Sequence, residues 1–269
     1  MMSADPIEPQ LAARRAHLIS SSPEDDAAYV ALADLSKILA SYQECRVIGG
    51  HMVSLLTTVF PAEGIILRRT GDADGGIPVE LAASGAMHRA LVDSGYTAES
   101  GNRYVNGGGG NIRATIDLLI PSFDGRFRRE VRGDRGFDAM PGLALALTGE
   151  AIEIDVIATL RDGSELEFHT RTPTVEAAVI LKASAYANRH AVTTKDAIDI
   201  RNLLEVLDQH GPETVGGWRL KEPTLIGARK DAARNLHALA DTAVTGRLNR
   251  TGIRGERLAY LIRRYVSRV

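Results

Sequence analysis

The chain has 269 residues, of which 44% are apolar and 25% charged, and its formal net charge is −2. That length supports one large domain or two smaller ones with real cores, and the near-neutral balance excludes a protein that coats nucleic acid with uniform positive charge. The single cysteine, Cys45, excludes an intrachain disulfide or a thiolate metal cluster, and no apolar run approaches the ~20 residues that span a bilayer; a soluble, cytoplasmic protein without a membrane partner is expected.

Residues 1–22 lack sustained periodicity and are expected to form a flexible N-terminal tail, with Ser20-Ser21-Ser22-Pro23 as its boundary. Ser22 then reads as an N-cap, Pro23 as the first helical position, and Glu24, Asp25 and Asp26 favour the positive end of the dipole. Tyr29, Leu32, Leu35, Ile38 and Leu39 carry the helix to about Tyr42. Arg46 to Ile48 follows as a short strand, Gly49-Gly50 as a tight turn, and His51 to Phe60 as a helix opening from that turn. Bare amides at a helix N-terminus favour an anion, although paired glycines can equally serve close packing.

The segment Gly64 to Arg69, GIILRR, is expected as a strand that delivers Thr70-Gly71-Asp72-Ala73-Asp74. Alternate residues of a strand share a face, so Thr70, Asp72 and Asp74 project together, with the two carboxylates about 7 Å apart at their α-carbons. Two such carboxylates repel unless a cation sits between them, and an all-oxygen ligand set suits Mg²⁺ or Mn²⁺. The competing reading is an ordinary strand-end turn, since Asp and Gly are turn formers.

A helix over residues 79–95 should end at Gly95 as its C-cap. Two strands then flank the glycine run Asn106 to Asn111, which has neither the helix nor the lysine of a phosphate loop and reads as a hairpin connection. In the second strand Ile112, Ala114, Ile116, Leu118 and Ile120 line one face, and Arg113, Thr115 and Asp117 the other. Asp117 is the favoured third acid. Its competitor is Asp155, on the strand Ala151 to Leu160.

From Thr174 onward the pattern is helical. The domain assignment is therefore a 1–22 tail, a mixed α/β core over 23–172 and an all-helical C-terminal domain over 173–269. The helix Val175 to Arg189 places Lys182 and Arg189 on one face, where Lys182 either snorkels to solvent or reaches a triphosphate. Thr193 is expected to cap the next helix with Asp196 at its third position. Two stretches are basic: 126–135 holds five arginines against two acids, and 247–268 holds seven against Glu256 alone. Each is either a solvated face or a track for phosphates; Arg247, Arg250, Arg254 and Arg257 in particular have helical spacing.

Taken together, VIGG, RRTGDAD, IRATIDLLI, Lys182 with Arg189, and KDAIDIRNLL resemble the AbiEii/AbiGii-type toxin nucleotidyltransferases. That family lies in the DNA polymerase beta nucleotidyltransferase superfamily and includes the mycobacterial MenT toxins; the resemblance covers residues 45–207. It implies an α/β (α+β) nucleotidyltransferase core with a mixed sheet, a helical domain after it, and an active site between the two. It also implies transfer of a nucleoside monophosphate from an NTP with release of pyrophosphate, an RNA acceptor at the 3′ end of tRNA, and an antitoxin protein as partner. On this chain it would place Asp72, Asp74 and Asp117 on Mg²⁺ or Mn²⁺, with Asp117 helping to deprotonate the acceptor. Gly49, Gly50, Thr70, Lys182, Arg189 and Lys195 would face the nucleotide, and Asp196 would stand beside it in the catalytic set. A protein hydroxyl as acceptor, or a non-catalytic binding module of the same fold, are the alternatives.

Overall fold

The computed structural model describes residues 14–107, 112–246, 248 and 251–269. Its order is β1 (Arg14–Ile19), α1 (Pro23–Leu39), β2 (Arg46–Ile48), α2 (Gly49–Val59), β3 (Ala73–Gly76), α3 (Val79–Ser84), α4 (Ala86–Asp93), β4 (Thr97–Ala98), β5 (Arg103–Asn106), β6 (Ala114–Ser122), β7 (Arg128–Arg132), β8 (Arg135–Pro141), α5 (Leu143–Thr148), β9 (Ala151–Thr159), β10 (Glu165–Pro173), α6 (Val175–Arg189), α7 (Lys195–His210), α8 (Gly227–Ala243) and α9 (Gly255–Tyr265). The architecture is the expected mixed α/β core with a mixed sheet, followed among the described residues by helices alone.

The main sheet is built around β6. Parallel β3 lies on one edge, and antiparallel β5 and parallel β8 share the other. The reason is its alternation: Ala114, Ile116, Leu118 and Ile120 are buried while Thr115 and Asp117 are not, so one face packs on α1 and the other is left for chemistry. A second sheet, β1-β9-β10, pairs β1 parallel to β9 and β10 antiparallel to it. Within the stretch expected as a tail, Arg14–Ile19 therefore form a strand, with Ala16 and Leu18 facing the core; residues 1–13 lie outside the described set.

Several local expectations are met by named hydrogen bonds. Ser22 caps α1 by accepting from the Asp25 amide at 3.2 Å, with Pro23 at the first helical position. Gly95 (φ +86°) ends α4: its N–H donates to Val92 O and the Tyr96 N–H to Leu91 O, closing both orphan carbonyls. The helix expected over 79–95 is broken, because Gly85 (φ +67°) ends α3 and starts α4. The β7-β8 hairpin, α5 and β10 were not anticipated. The buried apolar residues form one cluster that runs through both sheets and α6–α9 without a gap at residue 173.

Candidate metal centre and its ion-pair support

Parallel pairing of β3 with β6 sets Asp74 directly opposite Asp117, and Asp72 leads into β3 two residues earlier. One carboxylate oxygen from each of the three lies within 4.8 Å of the others, the single such group of potential metal ligands among the described residues. All three side chains are partly buried. Burial, then the charges of Asp72 and Asp117, push Asp74 up to about 7, against the pull of Lys182 and Arg189. Burial raises Asp117 to about 6 despite Arg103, whose guanidinium lies 3.5 Å away, with Asp72 and Asp138 adding to the rise. Three carboxylates pressed together, with Asp74 and Asp117 shifted upward, are a donor set that a hard divalent cation relieves.

Asp155 is not part of it. It sits on β9 in the other sheet, where its carboxylate meets His169 Nδ1 at 2.9 Å on an exposed face.

The two glycines are required by what packs against them. The α2 helix opens on the glycines themselves, with Gly49 at φ +70° and no side-chain cap on the first turn. A Cβ on Gly49 would fall 1.7 Å from Asp74 Oδ2, and one on Gly50 would fall 2.1 Å from Thr70 Oγ1. Behind them His51 is buried, and burial lowers its imidazole to about 4, so it is neutral at pH 7.

The expected GIILRR strand is absent. Residues 65–70 lie outside any sheet, and the backbone of Ile66 is bonded instead to a side chain of α7: the Ile66 N–H donates to Asn202 Oδ1 at 3.0 Å, and Asn202 Nδ2 donates to Ile66 O at 2.8 Å. Hence Asp72 precedes β3 rather than lying on a strand, although it still joins Asp74.

Asp196, Asp199 and Asn202 recur every three residues on the face of α7 that meets the core. Asp199, fully buried, receives both forks of Arg68 at 2.9 Å and Lys182 Nζ at 2.7 Å. Asp196, with no exposure, receives Arg189 at 2.6 and 2.8 Å and stands 3.7 Å from Lys182. Lys182 is therefore a buried, doubly paired charge held near Asp74, not a snorkelling one. Arg189 is half exposed and can offer donors outward. Asp196 holds these cations and is a positioning residue in this geometry. Lys195 points to solvent, its amide donating to Thr193 Oγ1 at 3.3 Å; the residue at the helix N-cap is Thr194, and its side chain makes no cap bond.

Four residues of this centre went unassigned in the sequence: Arg68, Arg103, Asp199 and Asn202. Asp199 carried a signal, being one turn past Asp196 on the same helix face; the others had none.

Several arginines of the basic stretches are paired with acids or carbonyls of the chain itself. Glu130 pairs with Arg128 and Arg132, and Arg135 donates to the carbonyls of Gly101 and Ser100. Arg257 forks onto Glu205 of α7 and also reaches Asp208, while Arg264 approaches Asp208 and Arg263 approaches Asp241. The expected arginine stripe is thus interrupted: Arg254 is the α9 N-cap, Arg257 is an internal tie, and Arg247 and Arg250 lie outside the described residues.

No family model matches the chain, and no curated protein does. Two solved structures resemble it. One is an antigenic nucleotidyltransferase-like protein from Paracoccidioides brasiliensis, 16% identical, with a TM-score of 0.47, covering 91% of this chain and 95% of that one. The other is the antibiotic-resistance factor ANT(2'')-Ia, 16% identical, with a TM-score of 0.36, covering 70% of this chain and 88% of that one. Both likenesses are loose, and the chemistry rests on the carboxylates. No described helix is long and apolar enough to cross a membrane.

Proposed function

We propose that the chain is a metal-dependent nucleotidyltransferase that moves a nucleoside monophosphate from an NTP to an acceptor hydroxyl and releases pyrophosphate. The observation that carries this reading is the Asp72, Asp74 and Asp117 triad, two carboxylates on neighbouring strands and one just ahead of β3, with oxygens within 4.8 Å of one another and two of them shifted upward. Divalent cations held there, Mg²⁺ or Mn²⁺, would offset the charge of the triphosphate and of the entering oxygen.

The chain's own residues supply the rest. The acceptor oxygen bonds to the α-phosphorus in line with the bond to the leaving pyrophosphate, which breaks. Asp117, raised to about 6 by burial, is the carboxylate of the triad that takes the hydroxyl proton in this reading. Arg189, half exposed beside Asp196, binds phosphate oxygens. Lys182 acts from within as a fixed positive charge that favours the ionised form of Asp74. Asp196 and Asp199 keep both cations in place.

The acceptor we infer is RNA, at the 3′ end of tRNA, and the biological role that of the toxin in a toxin–antitoxin pair; the motifs that resemble the AbiEii/AbiGii-type toxins support both. The test is incubation with α-labelled NTPs, total RNA, total protein and Mg²⁺ or Mn²⁺. Label should enter the RNA fraction and vanish with Asp72→Asn or Asp74→Asn. Label in protein instead would replace the acceptor; no label in any fraction, with either metal, would sink the enzyme reading.

A further inference from the structure

We propose that the groove between the β6–β7 loop, α6 and α8 is a docking site for single-stranded polynucleotide, lying outside the metal centre and leading a strand toward it. Its volume is about 520 Å³, within the ~300–1,000 Å³ range of ligand pockets, and its chemistry comes from Arg126, Phe127, Asn188, Asp231, Arg234 and Asn235. The Arg126 guanidinium has no ion pair among the described residues, and Arg234 is engaged only by Asp231, at 3.2 Å on an exposed surface. Such pairs exchange readily for a phosphate. The carboxamides of Asn188 and Asn235 make no hydrogen bond among the described residues, which leaves donors and acceptors for base edges. Phe127, partly buried against the core, lines the groove beside Arg126, and Phe123 of the same loop is 72% exposed just outside it. Arginines, an aromatic side chain and free carboxamides in one concavity are the groups that bind the phosphates and base edges of an unpaired strand.

Placement agrees. Ser122, at the groove end of β6, is about 17 Å along the strand from Asp117. Asn188 immediately precedes Arg189 on α6, so the groove and the cation pair occupy successive positions at the end of one helix. Arg128, Arg132 and Arg257 of the basic stretches are engaged by Glu130, Glu205 and Asp208, whereas Arg126 in this groove has no acidic partner among the described residues.

That the docked strand is the acceptor rests on the nucleotidyl-transfer reading; that it docks does not. The test measures fluorescence anisotropy of labelled, unstructured oligoribonucleotides about eight residues long with the full chain, without NTP or metal. The Arg126→Glu/Arg234→Glu double variant should lose at least tenfold in affinity, and the slope of log K against log salt should flatten by about 1.4, two phosphate contacts at ~0.7 each. Thermal unfolding and binding of a fluorescent NTP with Mn²⁺ should stay at wild-type values. The same oligonucleotide as DNA tells whether the 2′-hydroxyl contributes. Unchanged affinity and slope in the double variant, or no strand binding by the wild type at low salt, would overturn the proposal. Strand binding lost in the variant, with no NTP transfer by the wild type, would leave the groove standing and the enzyme reading fallen; transfer by a variant with unchanged strand binding would do the reverse.

Discussion

The carboxylate of Asp74 occupies the space that any side chain at position 49 would need: a Cβ on Gly49 falls 1.7 Å from Asp74 Oδ2. Gly49 also stands at φ +70°, where an L side chain costs about 1–2 kcal/mol on its own. Gly49→Ala should therefore destabilise the fold by at least that amount and displace Asp74 from the triad. Urea unfolding and Mn²⁺ binding by calorimetry check both; wild-type Mn²⁺ affinity in the variant would show that the glycine is dispensable to the site.

The raised titration of Asp74 ties stability to pH with a definite sign. A carboxyl near 7 in the fold, against ~3.9 in the unfolded chain, makes ionisation costly to the folded state. The cost is absent below about pH 4, grows as pH rises, and is fully present above about 7. Metal-free wild type should thus lose more thermal stability than Asp74→Asn between about pH 5 and pH 8, and Mn²⁺ should raise Tm more at the higher pH. Parallel pH profiles for the two proteins would contradict the electrostatics described.

Asp117 and Asp155 separate cleanly. Asp117→Asn removes a triad oxygen and should weaken Mn²⁺ binding by at least tenfold, whereas Asp155→Asn breaks only an exposed contact to His169, worth up to about 1 kcal/mol. Titration of both variants with Mn²⁺, followed by electron paramagnetic resonance, distinguishes them; equal losses would reopen the choice of third acid.

Asp199 neutralises Lys182 and Arg68 at once from a buried position, so Asp199→Ala leaves uncompensated charge and should cost about 3–5 kcal/mol in urea unfolding. Lys195→Ala, at an exposed side chain, should stay within about 0.5 kcal/mol. A small effect at Asp199 would mean that water reaches Lys182.

What could be read in the sequence was whatever local rules decide. The Ser22-Pro23 cap, the Gly95 terminator and the alternation from Ala114 to Ile120 report on their own neighbourhoods and took the expected form, although Ile112, expected on the buried face, is exposed and precedes the strand. Joining Asp117 to Asp72 and Asp74 depended on strand order, which alternation and spacing made guessable. GIILRR failed because strand propensity cannot reveal that its backbone bonds are taken by Asn202, 136 positions away from Ile66. RRAHLI failed likewise, since β1 pairs with β9 about half the chain away. The arginines of α9 misled because the acids that neutralise them lie on α7, invisible to any count made within their own stretch.

The two hydrogen bonds exchanged between Ile66 and Asn202 make the chain from Ile66 to Asp74 a ruler. With Ile66 pinned on α7 and Asp74 pinned in β3, the residues between them have one length that brings Asp72 to the triad. A single inserted or deleted residue there would leave both anchors bonded and the core intact while rotating Asp72 out of reach. Sequence variation in this chain's descendants should therefore take the form of exchanges, not changes of length, between Leu67 and Gly71.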